Sequence, residues 1–281
     1  YSHLAALPCT PTNLIRGTML KVLDLFSGIG GFSLGLERTG GFETVAFCEI
    51  EDYPRKVLAK HWPDVPIYED VRNVTKDQLI ADGIDVDIIT GGFPCQDLST
   101  AGRQNGLKDG TRSGLWSEIA RLVGELRPKF VIVENVANLL VGPSEQRGRW
   151  FGRVLGDLAE RGYDAEWENI PASAVGAPHR RERVWLVAYP QQDGCSMFGR
   201  PLASAPGELS PWVKQIQSRT KTGDFRSHWG EQSEWLTKSP AFTVDDGFPE
   251  LVAEYAAAGN SVVPQIPEMI GYAILEAEGT K

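Results

Sequence analysis

Short apolar strands alternate with helical segments along this chain, and this alternation restricts the possible folds more than any other feature of the sequence. The apolar runs predict strands over residues 21–26, 44–48, 84–90 and 130–133. The spacing of apolar residues between them predicts helices over residues 32–38, 53–61 and 115–126. Strands and helices in this order form βαβ units, so we expect an α/β fold whose parallel sheet carries helices on both faces.

The later part of the chain loses this regular alternation. The sequence predicts a helix over residues 144–161 and paired strands over residues 163–170 and 183–189. Residues 190–249 are rich in Gly, Ser, Pro, Gln and Trp and have no clear period, which indicates a small separate lobe or a long functional insertion. Helical spacing returns over residues 262–276.

The composition limits the class of protein. No apolar run reaches the ~20 residues of a membrane span, and no signal-peptide layout is present, so we expect a cytoplasmic protein with no membrane partner. The four cysteines are widely spaced without a C-x-x-C pair, which disfavours a zinc site or a disulfide scaffold. The net charge of −9 disfavours a nucleic-acid partner. Cations nevertheless outnumber acidic residues within 100–129 and 199–230, which indicates either a basic cleft or a solvated mixed surface.

Polar features follow the carboxyl ends of several predicted strands. A glycine turn occupies residues 28–31, Glu49 closes the second strand, Cys95 lies just beyond the third and Glu134 closes the fourth. Ligands of parallel sheets bind beyond the carboxyl ends of the strands, so the sequence predicts that these residues share one site.

The segment from Asp24 to Phe32, DLFSGIGGF, is typical of a turn that approaches a nucleotide. Glycines after a strand allow close backbone approach, and the following helix N-terminus adds N–H donors. A simple turn is the alternative, since the third glycine of a dinucleotide fingerprint is missing. Glu49 suits hydrogen bonding to ribose hydroxyls, although strand ends are often polar without a ligand. Together the two features favour an adenosyl cofactor.

Two residue types in this set can carry chemistry. Cys95, in the segment GGFPCQDLS, is either a thiolate nucleophile or a small buried hydrophobic residue. No histidine lies near it in the sequence, which weakens a papain-like hydrolase interpretation. Glu134 ends an apolar strand, where burial would raise its pKa and make it a proton donor. Helix capping or a structural hydrogen bond to Asn135 is the alternative.

Two later motifs are ambiguous by themselves. In HRRERV, strand alternation places Arg181 and Arg183 on one face, where guanidinium groups suit phosphate or a base carbonyl. A solvated run of charges is the alternative. In GNSVVP, Asn260 or Ser261 is also a plausible N-cap for the following helix.

The order of these motifs is more specific than any one of them. The series DLFSGIGG, Glu49, Asp70, GGFPCQ, ENV, HRRERV and GNSVVP resembles the DNA cytosine-C5 methyltransferase family over residues 19–189 and 257–277. The resemblance implies a Rossmann-like S-adenosylmethionine-dependent methyltransferase fold with a small target-recognition lobe. It implies methyl transfer from S-adenosylmethionine to C5 of a flipped-out cytosine in duplex DNA, with no metal.

The resemblance also implies roles for individual residues. Cys95 would attack C6 of cytosine, Glu134 would protonate N3, Arg183 would hold the O2 edge and Arg181 would support the site. The implied cofactor-binding residues are Phe26, Ser27, Gly28, Gly30, Gly31, Glu49, Ile50, Asp70, Val71, Pro94, Asn260 and Ser261. The implied DNA-binding residues are Gln96, Ser99, Arg103 and Arg112. Ile50 stands where an aromatic residue is common in the family, which implies a rearranged adenine stack.

The resemblance divides the chain into four parts. These are an N-terminal extension over 1–18, a catalytic and cofactor-binding domain over 19–189, a target-recognition region over 190–249 and a C-terminal helix over 250–281 that packs back on the catalytic domain. We expect a monomer that acts on double-stranded DNA in a bacterial or phage restriction–modification setting. A tRNA cytosine-C5 methyltransferase, a non-catalytic DNA-binding module on the same scaffold and a small-molecule methyltransferase are the alternatives.

Overall fold

A single mixed β-sheet organises the part of the chain that the computed structural model describes, namely residues 19–94, 115–142, 148–177, 181–191 and 261–279. Its strands are β1 (Leu20–Leu25), β2 (Phe42–Cys48), β3 (Ile67–Tyr68), β4 (Ile88–Gly91), β5 (Phe130–Val136), β6 (Tyr163–Pro171) and β7 (Glu182–Pro190). The helices are α1 (Gly31–Glu37), α2 (Asp52–His61), α3 (Lys76–Ala81), α4 (Trp116–Leu126), α5 (Arg149–Ala159) and α6 (Gln265–Ala277). Short 3₁₀ helices follow β5 and β6 at Ala137–Leu140 and Ala172–Val175.

The strand order of the sheet is β3-β2-β1-β4-β5-β7-β6. Strands β1 to β5 pair in parallel, whereas β7 runs antiparallel to both β5 and β6. This arrangement confirms the predicted α/β class and the predicted pairing of the two later strands. Because β1 lies between β2 and β4, the residues that follow these three strands meet at one edge of the sheet.

Helices cover both faces of the sheet, as expected for parallel strands that are apolar on both sides. Along β5 the side chains of Val131 and Val133 join one buried cluster, which α4 and α5 cover. The alternate residues Phe130 and Ile132 join the other cluster, which α1 and α6 cover. Both clusters continue into β7, so the antiparallel strand extends the core instead of covering its edge.

Helix α6 packs directly on α1, although the two are far apart in the sequence. Gly35 permits this contact, because a Cβ atom on it would lie 2.1 Å from the carbonyl oxygen of Pro264. The apolar side chains of Ile266, Met269 and Ile270 are buried in the same cluster as α1. Helix α6 is therefore part of the core of the main domain.

The observed elements differ from the predicted ones at several ends, and two short elements were not predicted. Strand β4 begins at Ile88 and not at 84, and Asp87 before it accepts the backbone N–H of Lys21 through its carboxylate. Strand β5 continues to Val136, because β7 pairs with it along its whole length beyond 130. Strand β3 and helix α3 were not predicted, since two and six residues are too short for a clear hydrophobic period.

Several predicted regions lie outside the described residues. These are the extension 1–18, nearly all of the target-recognition region 190–249 and the first part of the segment 250–281. The division of the chain into these parts stays a prediction. Within the described residues, no helix is long and apolar enough to cross a membrane.

Candidate active site

The segment after β1 makes a tight turn that brings backbone atoms to the edge of the sheet. Three residues adopt a positive φ angle: Phe26 at 53°, Gly28 at 54° and Gly30 at 86°. This region is open to glycine but unusual for a residue with a bulky side chain. Phe26 is held there by contacts with the core cluster next to it. The turn is therefore fixed by packing as well as by its glycines.

The glycines of this turn have different surroundings. A Cβ atom on Gly28 would meet nothing within 4 Å, so its backbone faces open space. A Cβ atom on Gly30 would lie 2.7 Å from the ring of Trp62, and one on Gly31 would lie 2.6 Å from the carbonyl oxygen of Val262. Gly28 is thus the position at which a bound molecule can approach the backbone, whereas Gly30 and Gly31 are required by packing.

Two polar side chains hold this turn against β2. The Ser27 hydroxyl donates to the carbonyl oxygen of Asp24 at 2.5 Å and accepts the Cys48 backbone N–H at 3.2 Å. The Glu49 carboxylate is buried and accepts the backbone N–H of Gly28 at 2.7 Å and that of Glu51 at 2.8 Å. The sequence prediction that the glycine turn and Glu49 lie together is confirmed.

The next residues along this edge provide an apolar surface and a second carboxylate. The side chain of Ile50 is 60% exposed. Asp70 follows β3 and forms a bidentate ion pair with Arg72, whose guanidinium hydrogen bonds hold the pKa of the carboxyl below its ordinary value. The Val71 side chain, by contrast, is buried in the core, so only its backbone is available at this edge.

A buried carboxylate and a guanidinium group face each other on β5 and β7. Glu134 lies inside β5 and not at its end, and it pairs in register with Trp185. The Arg183 Nε atom donates to Glu134 Oε1 at 2.9 Å. Burial raises the pKa of the Glu134 carboxyl, while the charges of Arg183 and Arg181 act in the opposite direction. The pKa of Glu134 is thus raised as expected, although Glu134 lies inside β5 and not at the end of the strand.

Arg181 connects this pair to the C-terminal segment. It lies directly before β7, and its Nη1 atom donates to the carbonyl oxygen of Ser261 at 2.7 Å. Burial lowers the pKa of Arg181 from its ordinary value, and the charge of Arg183 adds to this effect. The side chains of Glu134, Arg181 and Arg183 line one small cavity. The structure therefore brings these three predicted site residues together.

The segment that leads to Cys95 lies beside Glu134. A Cβ atom on Gly92 would be 3.4 Å from Glu134 Oε2. The Asn135 side-chain amide donates to the carbonyl oxygen of Phe93 at 3.1 Å and accepts the backbone N–H of Val136 at 2.9 Å. Asn135 thus holds the backbone one residue before Pro94. From the sequence, Asn135 was expected only as a structural hydrogen-bond partner of Glu134, and its contact with Phe93 was not predicted.

Other predicted site residues fall outside the described part of the chain. They are Cys95, Gln96, Ser99, Arg103, Arg112 and Asn260. Pro94, the last described residue before this gap, is half-buried. The roles of all these residues, and the cofactor contacts of the others, stay predictions.

One buried residue under the site was not predicted to have a role. Asp24 is fully buried in β1, where its Oδ1 atom accepts the Thr90 hydroxyl at 2.7 Å and its Oδ2 atom accepts the Ser33 hydroxyl at 2.9 Å. Burial raises the pKa of Asp24 to about 7. The residue joins β1, β4 and α1 beneath the glycine turn. An acidic residue inside the apolar run KVLDLF is the sequence signal that could have indicated it.

The family model described as C-5 cytosine-specific DNA methylase matches residues 20–239. The chain belongs to the C-5 cytosine-specific DNA methylase family. Among curated members, the type II methyltransferase M2.BsuMI of Bacillus subtilis is 37% identical over 173 residues, which are 60% of this chain and 42% of the relative. The type II methyltransferase M.HhaI of Haemophilus parahaemolyticus is 33% identical over 199 residues, which are 71% of this chain and 57% of the relative.

Solved structures of related proteins share the fold of this DNA methylase family member. A DNA modification methyltransferase encoded within an E. coli prophage has 26% sequence identity and a TM-score of 0.52, with coverage of 68% of this chain and 56% of that one. The S. pombe Dnmt2 methyltransferase has a TM-score of 0.59 at 15% identity and covers 92% of this chain, which shows the common fold alone. The chain spans less than half the length of the first curated relatives that it matches.

Proposed function

We propose that this chain carries the active site of a DNA cytosine-C5 methyltransferase. It would transfer a methyl group from S-adenosylmethionine to C5 of a cytosine flipped out of duplex DNA. The observation that carries the proposal is the Glu134–Arg183 ion pair. This pair lies beside the segment of Gly92 and Phe93 that leads to Cys95 in the sequence. The chain that contains it is a member of the C-5 cytosine-specific DNA methylase family. An acid, a cation and a thiol around one small space are what addition to a pyrimidine ring requires.

The edge formed by β1, β2 and β3 fits an adenosyl cofactor. The open face of Gly28 allows the amino-acid part of S-adenosylmethionine to approach the backbone. Glu49 keeps free lone pairs for ribose hydroxyls besides the two N–H groups that it accepts. Exposed Ile50 offers an apolar surface to the adenine, and Asp70 offers an acceptor for its amino group. The bound cofactor supplies the electrophilic methyl group.

The residues of the second cluster act on the cytosine ring. The Cys95 thiolate adds to C6, forming an S–C6 bond, while Glu134 donates a proton to N3 so that no charge accumulates on the ring. C5 then carries the electron pair that takes the methyl group. Loss of the C5 proton to a base and return of the N3 proton to Glu134 rebuild the double bond and expel the Cys95 thiolate. Arg183 holds both O2 of the base and the Glu134 carboxylate.

The target cytosine must leave the DNA duplex before the protein can act on it. C6 of a stacked cytosine cannot reach a thiol in the protein, so the base must leave the duplex, at a cost of a few kcal/mol. Gln96, Ser99, Arg103 and Arg112 are proposed to contact the DNA during this step. Residues 190–249 are proposed to read bases in the major groove. We further propose a monomer that acts in the cytoplasm of a bacterium, as part of a restriction–modification or phage system.

A covalent trap tests the proposed function directly. A duplex that contains 5-fluorocytosine should form a stable adduct with the protein in the presence of S-adenosylmethionine, because fluorine at C5 cannot leave as a proton. The Cys95→Ala variant should form none, whereas a Cys9→Ala control should behave like the wild type. Absence of an adduct from the intact protein would favour a non-catalytic DNA-binding module. Methylation of tRNA but not of duplex DNA would favour the RNA methyltransferase alternative.

A further inference from the structure

A small cavity lies beside Glu134. Its polar lining consists of Glu134, Arg181, Arg183 and Trp185, and apolar side chains of β6 and the C-terminal segment complete it. Glu134 and Trp185 form a cross-strand pair of β5 and β7, so their side chains share one face of the sheet. The space is about the size of one water molecule.

Two hydrogen-bond donors at this cavity have no acceptor among the described residues. They are the indole Nε1 of Trp185, a side chain that is 1% exposed, and the Nε of Arg181. A buried donor without an acceptor loses its hydration without replacement, which costs about 1–3 kcal/mol. The Trp185 ring itself is fixed by an edge contact with Phe32, with 5.5 Å between ring centroids. It therefore cannot turn its N–H group towards solvent without losing that packing.

We propose that this cavity is a binding site for one ordered water molecule, which accepts from Trp185 and Arg181 and donates to the Glu134 carboxylate. Three polar partners are the usual number for a buried water. An anion in this space would be repelled by Glu134. Trp185 is on this basis a positioning residue for the carboxyl, acting through the water.

The water would stabilise the ionised form of Glu134, because a hydrogen bond donated to a carboxylate favours that form. Among the described residues, the charged groups that face Glu134 are Arg183 and Arg181, both from the β7 segment. The sides formed by α1 and the C-terminal segment contribute the apolar residues Phe32, Val263 and Ile266. The water adds to the effect of the two arginines on the proton of this carboxyl.

The water site can be tested without any activity measurement. In the ¹⁵N-labelled protein, the indole signal of Trp185 is identified by its loss in Trp185→Phe, which keeps an aromatic ring against Phe32. We expect a direct cross-relaxation signal between this indole proton and water. The reference is Trp116, which is equally buried but donates to Asp157 at 2.8 Å. An indole proton of Trp185 with no more contact to water than that of Trp116 would overturn the proposal.

The effect on Glu134 is tested by a pH profile and rests on the proposed function. If Glu134 must be protonated, the methyl-transfer rate falls as the pH rises through its pKa. Trp185→Phe should move this fall to higher pH by about one unit, the size expected for one hydrogen bond to a charged group. Trp167→Phe, at a side chain that is 43% exposed on β6, is the control and should leave it unchanged. An unshifted profile in Trp185→Phe would refute the positioning role.

The two measurements separate the two possible failures. If the wild-type protein transfers no methyl group to DNA, the proposed function is wrong, while the cross-relaxation signal still decides the water site. If methyl transfer occurs and Trp185 shows no contact with water, the function stands and the water site is rejected.

Discussion

The Nε atom of Arg183 donates to Oε1 of Glu134 at 2.9 Å across the antiparallel pair of β5 and β7. Burial raises the pKa of this carboxyl, and the charges of Arg183 and Arg181 oppose the rise, so the two arginines affect how readily the acid holds its proton. The other oxygen of this carboxyl, Oε2, lies 3.4 Å from the position that a Cβ atom on Gly92 would occupy. Under the proposed function, proton transfer and base binding would both involve Arg183.

Replacing Arg183 by Gln should weaken methyl transfer and shift its pH dependence. The loss of the guanidinium should raise the pKa of Glu134 further, so the fall in rate at high pH should move upwards. The rate itself should decrease by about 10²-fold, as for removal of one donor that stabilises developing charge. Single-turnover methyl transfer measured across pH checks both effects. Arg153→Gln, which lies in a half-exposed ion pair with Asp157, is the control. An Arg183→Gln variant with the wild-type pH profile would contradict the assignment.

Gly28 and Gly31 should respond differently to alanine although they are close in sequence. Gly31→Ala places a methyl group 2.6 Å from the carbonyl oxygen of Val262, so it should lower the melting temperature by displacing the C-terminal segment. Gly28→Ala meets open space and should cost only about 1–2 kcal/mol for its positive φ angle. It should instead reduce the affinity for S-adenosylmethionine. Calorimetric titration and thermal unfolding of both variants separate the effects, and equal losses of affinity and stability in both would refute the distinction.

Asn135→Ala should slow formation of the covalent adduct while leaving cofactor affinity unchanged. The substitution removes the hydrogen bond that holds the carbonyl oxygen of Phe93, two residues before Cys95. A misplaced nucleophile should reduce the rate of adduct formation by about 10²-fold. Trapping with a 5-fluorocytosine duplex gives this rate, and titration gives the affinity for S-adenosylmethionine. The control is Asn169→Ala on β6, whose amide donates to Glu182. A trapping rate equal to that of the control would count against this role of Asn135.

Asp24 should make the stability of the protein depend on pH. Its pKa is about 7 in the folded chain, above the value of 3.8 that it has without burial. The folded state therefore holds the proton more tightly, and its contribution to stability is present below about pH 4 and is lost between pH 4 and pH 7. The loss amounts to a few kcal/mol at about 1.4 kcal/mol per pKa unit. Denaturant unfolding of the wild type and Asp24→Asn across this range isolates the effect, which should be absent from the variant. Parallel curves for the two proteins would exclude it.

The parts of the site that follow strand ends were predictable from sequence. Glu49 and the Gly28 turn come directly after adjacent parallel strands, so the rule for such sheets brings them together before any contact is known. Glu134 was predicted for the same reason, but β5 continues past it because β7 pairs antiparallel with it. Local sequence cannot reveal such an extension, because it depends on a strand that comes much later in the chain.

Contacts between distant segments could not be predicted in this way. The closeness of Gly31 to Val262 and the hydrogen bond of Arg181 to Ser261 depend on how α6 docks, and no local pattern encodes that docking. The sequence likewise shows a carboxylate, Asp24, within an apolar run. Its hydrogen bonds with Ser33 and Thr90, however, depend on how α1 and β4 pack against β1. Motif order indicated which residues to expect at the site, and tertiary packing determines which of the described ones touch.

The docking of α6 on α1 has a consequence for the order in which the protein folds during its synthesis. Helix α1 is synthesised early and α6 late, and the surface of α1 around Gly31 and Gly35 is completed only when the later helix arrives. The nascent chain therefore carries an uncovered apolar strip until α6 has been synthesised, and such a strip can associate with other unfinished chains. Arg181 gains its backbone partner at the same moment. Under the proposed function, competence for methyl transfer should thus appear only after α6 has docked on α1.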